Sequence, residues 1–291
     1  MIRFQRILCP VDFSEFSARA YTYAYSLAKQ YHAKLFVEHA VYPLVMSLPV
    51  LEVPTRGLHD AYQEIRASAQ KQLAELTSRQ EANCVETESF LHEGPASEAI
   101  LQFAGSHGVD LIVMGTHGRQ GLDHLTLGSI TERVLRRAKC PVLAVRKPVH
   151  DFVDPRGNEP VHLKKILFCT DFSGSAWPFA LSLAMEYNAE LTLLHVLDAT
   201  PSGADLESRA GEVTRELLNS VPADAGDWCT LKAVVRFGRP YQEIVQLALE
   251  SQADVVVMGV RGRNALDLAL FGSTTHRVLQ LGSCPVLAVQ G

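Results

Sequence analysis

Short apolar runs alternate with longer amphipathic segments along this chain. A run of four to eight apolar residues, such as Leu111–Met114, is typical of a strand covered on both faces, and an amphipathic segment between two runs predicts a helix. Ser14 is suited to cap the first helix. In the first half of the chain the predicted elements are the strands Ile7–Val11, Lys34–Val41, Val85–Leu91, Leu111–Met114 and Val142–Val145, and helices over 14–30, 60–79, 96–106 and 129–138.

The same pattern returns in the second half of the chain. RILCPVDFS at residues 6–14 is similar to KILFCTDFS at 165–173, and the blocks that begin at Asp110 and Asp254 align without gaps at a separation of 144 positions. The separation is 159 positions at the upstream blocks. The first copy therefore has 15 more residues than the second between its upstream block and its downstream block. When residues 26–28 are aligned with residues 182–184, three of the extra residues fall in the first helix. The other twelve fall after the second strand, in the region 42–60.

The repeat predicts two domains of one architecture. Alternating strands and helices favour right-handed crossovers and a parallel sheet. We therefore expect two α/β domains, each with a five-stranded, mostly parallel sheet, at residues 1–146 and 163–291. Residues 147–162 hold three prolines and several charges and are predicted to be the linker.

Composition excludes several classes of protein. The net charge is −5 and the pI about 6.1, which argues against a nucleic-acid binder with a basic face. The N-terminal residues lack the apolar core of a signal peptide, and Ala40–Pro54 is too short for a membrane span of about 20 residues. The six cysteines show no zinc-ligand spacing, so we expect no metal site, reduced thiols and a cytoplasmic protein.

A glycine pattern, G-x2-G-x9-G-S, occurs once in each copy and carries the candidate chemistry. Its first glycine follows an apolar strand, at the edge where open α/β sheets bind ligands, and glycine there allows positive φ and close approach to a ligand. The last glycine and the serine open a helix, whose N-terminus suits a phosphate. The serine either adds a donor or caps the helix, and the alternative for the whole pattern is a pair of tight turns. The residues are Gly115, Gly118, Gly128 and Ser129, and Gly259, Gly262, Gly272 and Ser273.

Other candidate side chains lie at the strand ends. Asp12 and Asp171 end the first strand of each copy, where a carboxylate either turns the chain into the next helix or accepts a hydrogen bond from a base or ribose. Arg119 and Arg263 occupy matching positions beside the glycines in the two copies, where they would either screen phosphate charge or remain solvated. His117 and His124 have no histidine counterpart in the second copy, and neither a P-loop nor a catalytic triad is present, so no catalytic residue is predicted.

At these residues the chain resembles the universal stress protein family in its tandem two-domain form. The blocks 115–145 and 259–289 carry the resemblance, with Val11–Ser14 and Thr170–Ser173 in support. It implies a Rossmann-like fold, of the adenine nucleotide α-hydrolase type, with sheet order 3-2-1-4-5. It also implies that Asp12, Ala40, Asp171 and Val196 lie at the adenine end of an ATP site whose phosphates the glycines and serines hold.

The resemblance leads to an expected function. We expect a cytoplasmic, ATP-binding regulator or sensor of stress that binds the nucleotide with Mg2+ and has at most slow ATP hydrolysis. The alternatives are an interaction module with empty pockets and a slow ATP hydrolase. The expected partners are an adenine nucleotide and an unknown regulatory protein, without nucleic acid or membrane. The two copies are expected to pair as an intramolecular pseudo-dimer through Val142–Val145 and Val286–Val289, and a homodimer of chains is a further, weaker expectation.

Overall fold

The structure is a computed structural model that describes residues 2–42, 55–78, 85–118, 126–146, 148–149, 151–154, 159–172, 176–197, 205–222, 225–260 and 272–290. Strands and helices alternate in both halves of the described chain, as predicted. The strands are β1 (Arg6–Pro10), β2 (Lys34–Val41), β3 (Thr87–Glu93), β4 (Leu111–Gly115), β5 (Val142–Val145), β6 (Lys165–Cys169), β7 (Glu190–Leu197), β8 (Thr230–Phe237), β9 (Val255–Gly259) and β10 (Val286–Val289). The helices are α1 (Glu15–Tyr31), α2 (Thr55–Ser78), α3 (Ala96–Ser106), α4 (Ser129–Arg137), α5 (Trp177–Tyr187), α6 (Asp205–Asn219), α7 (Pro240–Ser251) and α8 (Ser273–Leu281), with a 3-10 turn at Ala225–Asp227.

All ten strands belong to one sheet, in the order β3-β2-β1-β4-β5-β10-β9-β6-β7-β8. Each half has the predicted order 3-2-1-4-5, and its strands are parallel. The halves meet where β5 and β10 pair antiparallel, with Leu143 opposite Leu287. The expectation that the copies associate through their last strands is therefore confirmed.

Helices cover both faces of this sheet, and each face has one apolar cluster that spans both halves. Side chains of α1, α2, α5 and α6 contribute to one cluster, and side chains of α3, α4, α7 and α8 to the other. Polar contacts also cross between the halves. The Arg146 guanidinium donates to the carbonyl of Gln280, and the Gln290 side-chain amide donates to the carbonyl of Leu135. The two halves consequently share their apolar cores in addition to the pairing of β5 with β10.

The region between the copies packs on the first one. Asp151 lies 2.8 Å from the Arg19 guanidinium and accepts a 2.7 Å hydrogen bond from the Tyr23 hydroxyl. Phe152 is buried, and its ring lies edge-on to Tyr23 at 4.9 Å. Prolines and charges in this region suggest a solvated linker, but its short apolar segment joins the core. The boundaries at 146 and 163 remain a prediction.

The two copies differ in the lengths of their first two helices. α1 has 17 residues and α5 has 11, and α5 begins at Trp177 with Pro178 in its first turn, where proline is well tolerated. α2 has 24 residues, against 15 in α6, so much of the extra length of the first copy lies in this helix. The twelve extra residues after the second strand were expected in the region 42–60, of which residues 43–54 lie outside the described residues.

Candidate functional site

The turn after β1 fixes the predicted aspartate. Oδ1 of Asp12 accepts hydrogen bonds from the backbone N–H of Ser14, at 3.0 Å, and from its hydroxyl, at 2.6 Å. The Ser14 oxygen in turn accepts from the backbone N–H of Ser17 and caps α1, as predicted. Asp12 therefore serves the turn and also presents its carboxylate at the end of the strand.

This turn contains an aromatic residue in a left-handed conformation. Phe13 has φ of 61°, and its ring packs on His39 at 4.6 Å. Nδ1 of His39 lies 2.6 Å from the carbonyl oxygen of Val11, and it carries the hydrogen because a carbonyl only accepts. A non-glycine residue in this conformation costs about 1–3 kcal/mol, so the surrounding contacts must hold the turn in place.

The second copy repeats the same arrangement. Phe172 has φ of 66°, and its ring lies 4.8 Å from that of His195. Nδ1 of His195 lies 2.8 Å from the carbonyl oxygen of Thr170. The strand-end histidines are hydrogen-bonded structural residues in both copies.

The glycines of the first copy allow close packing rather than positive φ. A Cβ on Gly115 would lie 3.0 Å from the backbone of Phe16, and one on Gly118 would lie 2.7 Å from Oδ2 of Asp12. Gly128 has φ of −61° and Gly272 φ of −57°, and neither Gly115 nor Gly118 has positive φ. The expectation of positive φ at these glycines is wrong. The absence of a side chain lets α1, the Asp12 turn and the glycine loop approach one another.

The loop closes at its base onto the N-terminus of α4. The N–H of Gly128 donates to the carbonyl of Thr116 at 2.8 Å, and the Thr131 hydroxyl donates to the carbonyl of Gly115 at 2.8 Å. Gly128 caps α4 without a side-chain hydrogen bond, and Ser129 is the first helical residue. Ser129 thus does not cap the helix, and the first-turn N–H groups present the positive end of the helix dipole to the cavity.

One cavity of about 520 Å3 gathers most of the predicted residues of the first copy. A volume of this size lies within the usual range of small-molecule sites. Arg119 falls outside the described residues, so its position relative to the cavity stays a prediction. The predicted residues that line the cavity are Asp12, Ala40, Gly115, Gly118, Gly128 and Ser129.

The same cavity contains a charged residue that the sequence analysis did not identify. Glu38 of β2 lines the cavity, its side chain is 1% exposed, and neither carboxyl oxygen has a hydrogen-bond partner. Nε2 of His92 lies 3.9 Å away, beyond hydrogen-bond distance. Burial raises the pKa of Glu38 to about 8 and, together with His107, lowers the pKa of His92. A lone acid on the inward face of the apolar strand KLFVEHAV was the signal that could have revealed it.

The second copy places its predicted residues at equivalent positions. Gly272 donates its N–H to the carbonyl of Val260 at 3.2 Å, and the Thr275 hydroxyl donates to the carbonyl of Gly259 at 3.0 Å. Asp171 follows β6, Val196 lies on β7 and Ser273 begins α8. Gly262 and Arg263 lie outside the described residues. The sequence analysis did not identify Thr131 and Thr275, although they too recur 144 positions apart. Each of these threonines joins the glycine loop of its own copy to the helix that follows.

Two classes of feature are absent from the part of the chain that the structure describes. That part contains no group of three or more His, Cys, Asp or Glu side chains placed to hold a metal ion. No helix in it combines the length and apolar character needed to cross a bilayer. Its cysteines are free and buried, at positions 9, 140, 169, 229 and 284.

Comparison with known proteins identifies the family. The sequence profile of the universal stress protein family matches residues 3–146 and 162–290. A universal stress protein of Methanocaldococcus jannaschii is 34% identical over 146 residues, which are 50% of this chain and 84% of that protein. A universal stress protein of Mycolicibacterium smegmatis is 26% identical over 301 aligned residues, covering 98% of this chain and 96% of that protein.

A solved structure supports the same assignment at the level of the fold. The crystal structure of a universal stress protein from Archaeoglobus fulgidus superposes with a TM-score of 0.71 at 22% identity, and the alignment covers 99% of each chain. Because the family profile matches both halves, the two-domain form follows from the sequence as well as from the sheet. The chain belongs to the universal stress protein family, in its tandem two-domain form.

Proposed function

We propose that this protein binds ATP, together with Mg2+, and acts as a cytoplasmic regulator or sensor in the stress response. The observation that carries the proposal is the convergence of three features on one cavity: the strand-end carboxylate of Asp12, the closely packed glycines, and the free N-terminus of α4. Helix N-termini favour phosphate groups because their unpaired N–H groups and dipole attract negative charge.

Each predicted residue has a proposed role at the nucleotide. Asp12 and Ala40 contact the base or ribose, while Gly115, Gly118, Gly128 and Ser129 hold the ribose and phosphates. Mg2+ is proposed to bind together with the phosphates of the nucleotide, as it commonly does in proteins. In the second copy Asp171, Val196, Gly259, Gly262, Gly272 and Ser273 have the corresponding roles, and Arg119 and Arg263 are proposed to screen phosphate charge.

We propose a regulatory protein rather than an enzyme. No histidine is shared by the two glycine loops, so a common general base is not evident in the sequence. The cytoplasmic location is supported by the five free, buried thiols, which fit a reducing compartment. An unknown regulatory protein remains the proposed partner, and association of whole chains into a homodimer remains a weaker proposal.

The test is nucleotide binding by protein that has been unfolded, freed of ligand and refolded. A ligand at 100 times its Kd stabilises the folded state by about 2.7 kcal/mol, so MgATP should raise the Tm by several degrees. No shift at millimolar MgATP would refute the proposal and favour an interaction module with empty pockets. Chromatography of the nucleotide released from freshly purified protein distinguishes the remaining alternative, because recovered ADP would favour a slow hydrolase.

A further inference from the structure

Glu38 is a buried carboxyl group whose hydrogen-bonding capacity the folded chain leaves unused. It lies on β2, its oxygens accept no hydrogen bond, and it lines the cavity that contains Asp12 and the glycine loop. Its ionisable neighbour among the described residues is His92, whose Nε2 lies 3.9 Å from Oε1, too far for a hydrogen bond. A buried polar group without a hydrogen bond is unfavourable, and natural proteins satisfy nearly all of them. The unused oxygens at a cavity wall therefore indicate a ligand group that completes their hydrogen bonding.

The fold itself does not require an acid at this position. Glu38 corresponds to Leu194 of the second copy, since Lys34 and Glu190 begin their strands at the same register against β1 and β6. Leu194 is 1% exposed and belongs to the apolar cluster, where it needs no polar partner. A leucine thus fills the same place in an equivalent strand, and Glu38 gives the first cavity a chemistry that the second copy lacks.

Sheet geometry places Glu38 away from the phosphate end of the cavity. The glycine loop and the N-terminus of α4 follow β4, and β1 lies between β4 and β2. The two strand spacings that separate β4 from β2 correspond to a distance of about 10 Å across the sheet. The wall around Glu38 is otherwise largely apolar, with Ala40 on the same strand and Ile100 on α3. An anion-binding end and an apolar end with one carboxyl group fit a ligand with phosphates on one side and a polar heteroaromatic ring on the other.

We propose that Glu38 determines the base specificity of the first site by pairing with the edge of adenine that carries N1 and the 6-amino group. A neutral carboxyl group has one O–H donor and one carbonyl acceptor. The O–H would donate to N1, and the carbonyl oxygen would accept from the 6-amino group. This inference rests on the proposed function, because it names the group that recognises the base of the bound nucleotide.

The experiment compares MgATP with the Mg complex of purine riboside triphosphate, which lacks only the 6-amino group. The Kd of each nucleotide is measured by titration calorimetry for wild type, Glu38→Leu and Glu38→Gln. Sites built to bond a polar group reject an analogue without it, so wild type should bind ATP at least about tenfold more tightly. Glu38→Leu should reduce this ratio to about one, and Glu38→Gln should keep it because the amide also offers a donor and an acceptor. Glu88→Gln, which changes an exposed acid on neighbouring β3, is the matched control and should leave the ratio unchanged.

A pH series separates this role from simple packing. Ionisation of Glu38 removes its donor and places an anion opposite N1, so wild-type affinity for ATP should fall between pH 6.5 and 9. The other titratable side chains near the cavity in the described chain are Asp12 and His117 at its wall, His92 on β3 and His107 beyond Phe90. All four are retained in Glu38→Gln, whose affinity should change at least several-fold less over the same range.

The outcomes separate the two proposals. If wild type binds neither nucleotide, the proposed function is wrong and the inference falls with it. If wild type binds both equally, or Glu38→Leu keeps the tenfold preference, the protein binds nucleotides but Glu38 does not determine the base. If Glu38→Leu fails to fold, the comparison of wild type with Glu38→Gln across pH still decides, because identical pH profiles would overturn the inference.

Discussion

Leu143 of β5 lies directly opposite Leu287 of β10, and the two leucines occupy the same position in the two copies of the repeat. Both are 3% exposed, and their strands join two parallel five-stranded sheets into one. The pairing places each leucine in the middle of a ten-stranded sheet, whereas in an isolated copy it would lie on an edge. The join between the copies therefore depends on main-chain hydrogen bonds as well as on apolar contact.

Proline at either leucine should weaken this join. Leu143→Pro and Leu287→Pro each remove a backbone donor, and proline is tolerated in sheets mainly on edge strands. An unsatisfied buried acceptor alone costs about 1–3 kcal/mol, so urea unfolding should show at least that loss. Small-angle scattering should also show an increased radius of gyration.

The matched controls for this pair are Leu143→Ala and Leu287→Ala, which retain the backbone N–H. They should lower stability through lost apolar contact while leaving the radius of gyration unchanged. If both proline variants keep wild-type stability and compactness, these strands do not join the two halves in solution.

Much of the fold was predictable because its signals are local and repeated. The apolar run Leu111–Met114 and the cap at Ser14 correspond to β4 and α1, and the family resemblance predicted the β5–β10 pairing. Boundaries were less accurate where patterns are weak. The second helix begins at Thr55 rather than Asp60, and β3 covers Thr87–Glu93, a polar stretch with partly exposed residues, rather than 85–91.

The site was predictable only in part. Motif spacing identified the glycines, yet their spatial neighbours explain why glycine is needed: Phe16 against Gly115 and Asp12 against Gly118. Such close approaches join segments about a hundred residues apart, and spacing along the chain does not reveal them. Glu38 was missed for the same reason, since only the folded sheet shows that its buried oxygens accept no hydrogen bond and that its strand borders the cavity.

Gly118→Ala should impair nucleotide binding with little effect on the global fold. The added methyl group would meet Oδ2 of Asp12 at 2.7 Å and displace the carboxylate from the strand end. We expect the Kd for MgATP to rise about tenfold or more, as measured by titration calorimetry, because small misplacements of a binding group are costly.

Gly105→Ala provides the control for this substitution. Gly105 lies in α3 with no atom within 4 Å of the added Cβ, and alanine in a helix is more favourable than glycine by about 0.5–1 kcal/mol. Gly105→Ala should therefore stabilise the protein slightly and leave ATP binding unchanged. Equal affinity for ATP in wild type and Gly118→Ala would show that the position of Asp12 is unimportant for binding.

The stability of the protein should depend on pH through Glu38. Burial raises the pKa of its carboxyl group from 4.5 to about 8 in the folded state. Its favourable contribution is complete below pH 4.5 and is lost as pH rises towards 8, because the unfolded chain ionises first. Each pKa unit corresponds to about 1.4 kcal/mol, so the loss amounts to a few kcal/mol.

Glu38→Gln removes this titration and tests it directly. Its free energy of unfolding relative to wild type should increase between pH 5 and pH 8 and then level off, as measured by urea unfolding at several pH values. Glu88→Gln, whose carboxyl group is exposed on β3, should follow the wild-type profile closely. Parallel curves for wild type and Glu38→Gln would mean that the Glu38 carboxyl group is solvated or paired in solution.

The two nucleotide sites should be unequal, with the first site tighter. α5 begins at Trp177, three residues later relative to the strand-end aspartate than α1 does, and Leu194 replaces Glu38 in the second copy. Gly121 is matched by Ala265, although both lie outside the described residues.

Ser129→Glu and Ser273→Glu are a matched pair of tests, because a carboxylate in the first turn favours the helix but competes with phosphate for its N–H groups. Titration calorimetry of wild type should give two classes of site, of which Ser129→Glu removes the tighter and Ser273→Glu the weaker, each with a Tm without ligand close to that of wild type. If Ser273→Glu removes the tighter site instead, the second copy dominates binding and the predicted order of the two sites is wrong.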